Sequence, residues 1–110
     1  MIGKEPTIQT YPKKRIDLII EMPLLRRVTE RFDKAGVSGY SVLPVIAGRG
    51  QSGEWSASGQ VSEVGQMAAI ICIVDTGKVD AVLDEVFAVV QRQIGLVMVS
   101  DVSVVRPERF

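Results

Sequence analysis

The chain contains no histidine and a single cysteine, Cys72, among its 110 residues. Without histidine there is no imidazole general base, no phosphohistidine and no histidine metal ligand. One cysteine cannot close an intramolecular disulfide, so we expect a reduced, cytoplasmic environment. The 13 basic and 13 acidic side chains cancel. This argues against a protein that holds nucleic acid through bulk charge, because such binding scales with the number of phosphates neutralised.

Long hydrophobic runs are also missing. No apolar run reaches the ~18 residues of a membrane-spanning helix, and the polar first residues lack the apolar region of a signal peptide. We therefore expect a protein that is not embedded in a membrane. The composition, 46% hydrophobic and 24% charged, is typical of one globular domain.

The apolar pattern predicts a strand, a helix and a strand, followed after a long loop by the same order again. The predicted strands are residues 16–20, 40–46, 67–74 and 96–105, and the predicted helices run from Pro23 to Gly36 and from a cap at Asp75 or Thr76 to Gly95. Pro44 indicates an edge strand or a bulge. A change of phase near Ser100 predicts a bulge in the last strand.

This order is typical of a ferredoxin-like βαββαβ sandwich in the α+β class, with both helices on one face of a four-stranded antiparallel sheet. The first and third strands are apolar on both faces, since Ile19 and Ile71 alternate with other apolar residues. We therefore expect a second layer over the open face of the sheet. In a chain of this size, that layer is predicted to be further copies of the same chain.

The segment 48–66 has neither a helical nor a strand period and is rich in Gly, Ser and Gln. It begins with Gly48-Arg49-Gly50-Gln51, which predicts either a plain flexible turn or a turn whose backbone N–H groups and arginine contact an anion. Trp55, beside Glu54, is expected either to anchor a partner or to fold back on its own domain. No nucleophile and base have a spacing that indicates an active site, and we predict a protein that is not an enzyme.

The run Gly36-Val37-Ser38-Gly39-Tyr40-Ser41-Val42, followed by Val45 and by Gly48-Arg49-Gly50-Gln51, resembles the PII signalling superfamily. The resemblance extends from about Ile16 to Arg106. The Ala-Gly-Arg-Gly sequence is most similar to the PII-like branch associated with carboxysomes and bicarbonate transport. The resemblance to this family implies a homotrimer that binds adenine nucleotide in clefts between subunits. It also implies signalling through the loop after the second strand, which is called the T-loop. The implied organisation is a flexible arm (1–13), a PII-like domain (14–106, with the T-loop at about 48–66) and a tail (107–110).

The resemblance also implies the residues of the site. The implied nucleotide-binding residues are Ile19 and Ile73 lining the cleft, Ser41 at the adenine, Gly48, Arg49, Gly50 and Gln51 around the phosphates, and Arg106 on a phosphate. Glu54 and Trp55 of the T-loop are the implied partner-binding residues. The implied partner is a bicarbonate transporter or a carboxysome component.

Departures from the family pattern modify the expected ligands. Classical members of the family have a basic, Gly-rich loop before the last strand, with a lysine that binds the outer phosphates. Here this loop is shortened to residues 91–95 and lacks the lysine, so ADP or AMP is expected to bind better than ATP. Ile71 stands where an acidic residue is usual, so switching by 2-oxoglutarate is not expected. Bicarbonate is implied as a second ligand by the branch and by no residue of this sequence.

Four alternatives stay open at this stage. They are a nitrogen-type PII regulator, a small enzyme such as an acyl-phosphate hydrolase, an RNA-binding module and a structural trimer related to divalent-cation tolerance proteins. An RNA-binding module of this topology stacks bases on aromatic residues of its first and third strands. Residues 16–21 and 67–74 contain none, so no nucleic-acid partner is expected. The missing histidines and thiol clusters argue against a metal site.

Overall fold

The computed structural model of the protein describes residues 8–50, 53–56, 66–91 and 95–110. The strands are β1 (Tyr11–Glu21), β2 (Tyr40–Val45), β3 (Ala47–Gly50), β4 (Gly53–Ser56), β5 (Met67–Val74) and β6 (Gly95–Val104), and the helices are α1 (Leu25–Lys34) and α2 (Val79–Val90). Four strands form an antiparallel sheet in the order β2-β5-β1-β6, and β3 and β4 form a separate hairpin. The predicted ferredoxin-like α+β fold is confirmed.

The core lies between the two helices and one face of the sheet. Alternate residues of the central strands β1 and β5 are buried and pack against both helices, and the largest fully buried side chains are Phe32, Ile16, Leu18, Ile20, Ile70, Val28, Val82 and Val86. The helices are also joined to each other, because Arg31 Nη1 donates to Glu85 Oε2 at 3.0 Å. The alternating apolar residues of the strands and the apolar stripes of the helices therefore face each other and form one core.

We call the opposite side of the sheet the open face. It consists of Arg15, Asp17 and Ile19 on β1, Ser41 and Leu43 on β2, Ala69, Ile71 and Ile73 on β5, and Leu96, Met98 and Ser100 on β6. Leu43, Leu96 and Met98 are 44%, 57% and 46% exposed, respectively. The prediction of a sheet that is apolar on both faces is thus confirmed.

The observed ends of α1 match the prediction from the sequence, whereas the observed ends of α2 do not. Pro23 lies in a 3-10 turn (Met22–Leu24) before α1, and Gly36 follows α1 with a φ of +80°, as expected of a glycine that stops a helix. The predicted cap of α2 is wrong: Asp75 makes no capping hydrogen bond, because its carboxylate pairs with Lys13. The predicted end at Gly95 is also wrong, since α2 ends at Val90.

Gly95 instead begins β6. A Cβ added there would lie 2.7 Å from the carbonyl oxygen of Ile19, so the glycine permits close pairing of β6 with β1. Phe87 on α2 is 59% exposed. It lines an open apolar groove of about 360 Å³ between α2 and β6.

The strands differ from the prediction at three places. β1 begins at Tyr11, so residues 11–13 of the predicted arm belong to the sheet, and Tyr11 adds an aromatic residue to the end of this strand. β1 and β6 pair without interruption from Tyr11–Val104 to Ile20–Gly95, so the predicted bulge near Ser100 is wrong. Residues 47–50 and 53–56 are strands, although the sequence predicted a loop over residues 48–66. Pro44 lies on the edge strand β2, as predicted.

Candidate ligand-binding site

The β3–β4 hairpin occupies the predicted base of the T-loop. Gly48 pairs with Trp55, Arg49 with Glu54 and Gly50 with Gly53. The expected turn at residues 48–50 is therefore an extended strand, and among the described residues positive φ occurs at Gly36 and not in β3. The glycines here permit close approach to the backbone rather than a left-handed turn. Gln51 lies outside the described residues.

The hairpin begins at one end of the sheet. Val45, the last residue of β2, pairs with Met67, which in turn pairs with Glu21 at the end of β1. Ile19 lies two residues before Glu21 and is half-buried on the open face. Ile19 therefore belongs to the same end of the sheet as Gly48, Arg49 and Gly50, and we call this group the T-loop half-site.

Two other predicted residues lie at the opposite end. Ile73 pairs with Arg15 near the end of β5, and Arg106 follows β6, whose Val104 pairs with Tyr11 at the start of β1. Ile73 is half-buried and Arg106 is exposed. We call Ile73 and Arg106 the terminal half-site.

A single protomer does not bring the two half-sites together. Ile19 pairs with Ala69 and Ile73 pairs with Arg15, so the two isoleucines are four residues apart along the strands. At about 3.4 Å per residue this separation is about 14 Å. Ser41 pairs with Ile71 midway between them and is exposed. Ile19, Ser41 and Ile73 are therefore spread along the open face of one protomer.

Additional cations lie at the terminal end. Lys13 forms a hydrogen-bonded ion pair with Asp75. The hydrogen bond from Lys13 is the largest cause that lowers the pKa of Asp75, and the positive charges of Lys13 and Lys78 lower it further. Lys78 Nζ donates to the carbonyl oxygen of Gly36 at 3.2 Å. Sequence reasoning had no signal for these contacts, because each joins residues that are distant in the chain.

Arg15 and Asp17 form an ion pair on the open face. Arg15 Nε donates to Asp17 Oδ2 at 2.9 Å and Arg15 Nη2 donates to Asp17 Oδ1 at 2.9 Å. The hydrogen bond and the charge of Asp17 raise the pKa of Arg15. Sequence reasoning missed this pair, although the available signal was simple: residues i and i+2 of a strand point to the same face.

Cys72 is the free thiol of the core. Its side chain faces the helices, and the residue is 2% exposed. Burial, and to a smaller extent the charge of Asp17, raise the pKa of the thiol to about 11. The thiolate is the reactive form, so this group is expected to be inert in the folded protein.

We predict that iodoacetamide at pH 8 labels Cys72 of the folded protein at least about a hundredfold more slowly than in urea. The measurement is intact-protein mass spectrometry over time. The thiol of an Ala81→Cys variant in a Cys72→Ser background serves as the accessible control, because Ala81 is exposed on α2. Equal rates in the folded and the unfolded chain would show that Cys72 is not buried.

Comparison with protein families finds a match to the family described as "Nitrogen regulatory protein P-II" over residues 13–109. Comparison with curated protein sequences finds no match. None of the helices in the described part of the chain is long and apolar enough to cross a membrane.

Solved structures with the same fold include PII-like proteins. CPII from Thiomonas intermedia K12, a nitrogen regulatory PII-like protein bound to ADP, AMP and bicarbonate, matches with a TM-score of 0.86 at 29% identity over 94% of this chain and 98% of CPII. Its apo form matches with a TM-score of 0.72 at 27% identity over 92% and 100% of the two chains. A putative PII-like signalling protein from Thermus thermophilus, with a TM-score of 0.78 and 23% identity over 94% and 99%, shares the fold.

Proposed function

Because this chain belongs to the nitrogen regulatory protein P-II family, we propose that it is a PII-like sensor that binds an adenine nucleotide between two subunits. The division of the predicted site into two half-sites at opposite ends of one sheet carries this proposal. PII structures are typically trimers. In a closed ring, the T-loop half-site of one copy meets the terminal half-site of the next copy.

Each half-site offers a different part of nucleotide recognition. Ile19 and Ile73 supply apolar surface for the adenine ring, and the hydroxyl of Ser41 supplies a hydrogen-bond partner for its edge. Arg49 and Arg106 supply charge-assisted hydrogen bonds to the phosphates. Gly48 and Gly50 let the backbone of the T-loop base approach the phosphates. Gln51 is assigned to the phosphates by the resemblance alone.

The ligands are ADP or AMP in preference to ATP, with bicarbonate as a second ligand. CPII, which shares 29% of its residues with this chain, is described as bound to ADP, AMP and bicarbonate. This supports the same ligand classes here. Residues 91–95 supply no lysine for the outermost phosphate, which favours the shorter nucleotides.

The signal passes through the T-loop to a protein partner in inorganic-carbon uptake or fixation, such as a bicarbonate transporter or a carboxysome component. The β3–β4 hairpin is separate from the main sheet, and an isolated two-stranded hairpin is marginally stable in water. A ligand at its base therefore shifts its conformation with little free energy. Glu54 and Trp55 on β4 are the proposed contacts to the partner. PII proteins are typically non-catalytic.

Calorimetric titration with AMP, ADP and ATP, each with and without bicarbonate, tests this function. We expect micromolar binding of ADP or AMP that bicarbonate strengthens. If no nucleotide produced heat at millimolar concentration, the proposal would fail. Tighter binding of ATP together with 2-oxoglutarate would favour a nitrogen-type regulator instead, and sustained release of phosphate from acetyl phosphate would favour the hydrolase.

A further inference from the structure

Glu21 lies at the end of the sheet that carries the T-loop half-site. It is the last residue of β1 and pairs with Met67, the residue that also pairs with Val45 at the end of β2. Neighbouring strands are about 4.8 Å apart, so the Cα atoms of Glu21 and Val45 lie about 10 Å apart across β5. The strand β3, which carries Gly48 and Arg49, begins two residues after Val45. Glu21 therefore lies beside the base of the T-loop.

The side chain of Glu21 is on the same face of the sheet as that of Ile19, because residues i and i+2 of a strand point to the same side. Their Cα atoms are about 6.8 Å apart along β1. Glu21 is half-buried, and its backbone is still extended, with φ −67° and ψ 137°. Its carboxylate is thus presented to a ligand that contacts Ile19 and extends towards the T-loop base.

The negative charge of Glu21 is not neutralised within the described part of the chain. Glu21 forms no ion pair with any residue there. It also makes no side-chain capping hydrogen bond to the 3-10 turn that follows it. Asp17, a carboxylate of the open face, is by contrast paired with Arg15. The charge of Glu21 therefore acts on whatever binds beside it.

The loop before β6 reaches the same end of the sheet, because Gly95 pairs with Ile20. Residues 91–95 contain Arg92 and no lysine, and residues 92–94 lie outside the described part of the chain. Among the described residues of β1 and β3, the charges at this end are Arg49, which attracts phosphate, and Glu21, which repels it.

We propose that Glu21 is a specificity-determining residue that selects against the third phosphate of ATP. This inference rests on the proposed function, in which Ile19 contacts the adenine ring and the T-loop base contacts the phosphates. Each phosphate beyond that of AMP brings further negative charge to the end of the sheet where Glu21 lies, and like charges repel more strongly in a partly desolvated cleft than in water. The missing lysine removes an attraction for the outermost phosphate, whereas Glu21 adds a repulsion.

Glu21→Gln tests the proposal, because it removes the charge and keeps the size of the side chain. Calorimetry in EDTA, which removes divalent cations that would neutralise the phosphates, gives the Kd of AMP, ADP and ATP. We expect the ratio of the ATP Kd to the AMP Kd to fall by roughly 3–10-fold in this variant. The fall is expected to be smaller in high salt, which screens the charges.

Glu21→Lys is expected to lower the ratio further, and it provides a second variant if Glu21→Gln does not fold. Glu30→Gln is the matched control, since it removes the same charge from a side chain that is 63% exposed on α1. The control is expected to leave the ratio unchanged. Circular dichroism reports the folding of each variant.

The outcomes separate this inference from the proposed function. An unchanged ratio in Glu21→Gln, with nucleotide binding intact, would overturn the inference and leave the sensor standing. Equal weakening of AMP, ADP and ATP would also overturn it, because Glu21 would then contact a part that all three share. If the original chain bound none of the three nucleotides, the sensor and this inference would fail together.

Discussion

Replacing Phe32 with alanine is expected to lower the free energy of unfolding by about 3–5 kcal/mol. Phe32 is 0% exposed on α1, and its ring contacts that of Tyr40 edge to face, with centroids 5.6 Å apart and an interplanar angle of 64°. The substitution removes this aromatic contact and leaves a cavity between α1 and the sheet. This residue therefore holds the first helix against the edge strand that leads into the T-loop.

The measurement is urea unfolding followed by circular dichroism, with all variants at one protomer concentration because assembly contributes to stability. Phe87→Ala is the matched control: it removes the same ring from an exposed position on α2. We expect the control to cost less than about 1 kcal/mol. Equal losses for the two variants would contradict the packing of α1 against the sheet through Phe32.

Replacing Arg49 with alanine is expected to weaken ADP binding by about 1.5–3 kcal/mol, the range for a hydrogen bond to a charged group. This corresponds to roughly 10–150-fold in affinity. Arg49 is exposed on β3 at the T-loop base. In the proposed site its guanidinium contacts the phosphates, so truncation removes a contact without disturbing the core.

Calorimetry with ADP measures the loss. Arg26→Ala is the control, because Arg26 has a 90% exposed side chain on α1 and pairs with Glu30 at 3.3 Å. Its removal is expected to leave ADP affinity unchanged. If Arg49→Ala bound ADP as tightly as the original chain, Arg49 would have no part in the site, while the remaining residues would still be open to test.

Local patterns were sufficient for most of the fold. The near-continuous apolar run of β5 predicted its bounds at Met67–Val74, and Gly36 marked the end of α1 because a left-handed residue follows the last turn. Pro44 predicted an edge strand or a bulge, since proline has no backbone N–H to donate to a neighbouring strand, and β2 is an edge strand. Each of these signals depends on neighbours in the chain and needs no tertiary information.

Other features depended on contacts between distant residues and were mispredicted. Asp75 has the side chain of a helix cap, yet it pairs with Lys13, 62 residues away. The glycine-rich β3 carries no apolar period, and its strand geometry comes from pairing with β4. The apparent phase change in β6 led to a predicted bulge, whereas the register with β1 is continuous.

By itself, the sequence determined the order of the elements, the sheet that is apolar on both faces and the residue types available for a nucleotide. The tertiary structure alone decided where those residues lie. Ile19 and Arg49 belong to one end of the sheet, and Ile73 and Arg106 belong to the other. The physical reason is that the place of a residue along the sheet depends on which strands are neighbours, and the paired strands here join residues that are far apart in the chain.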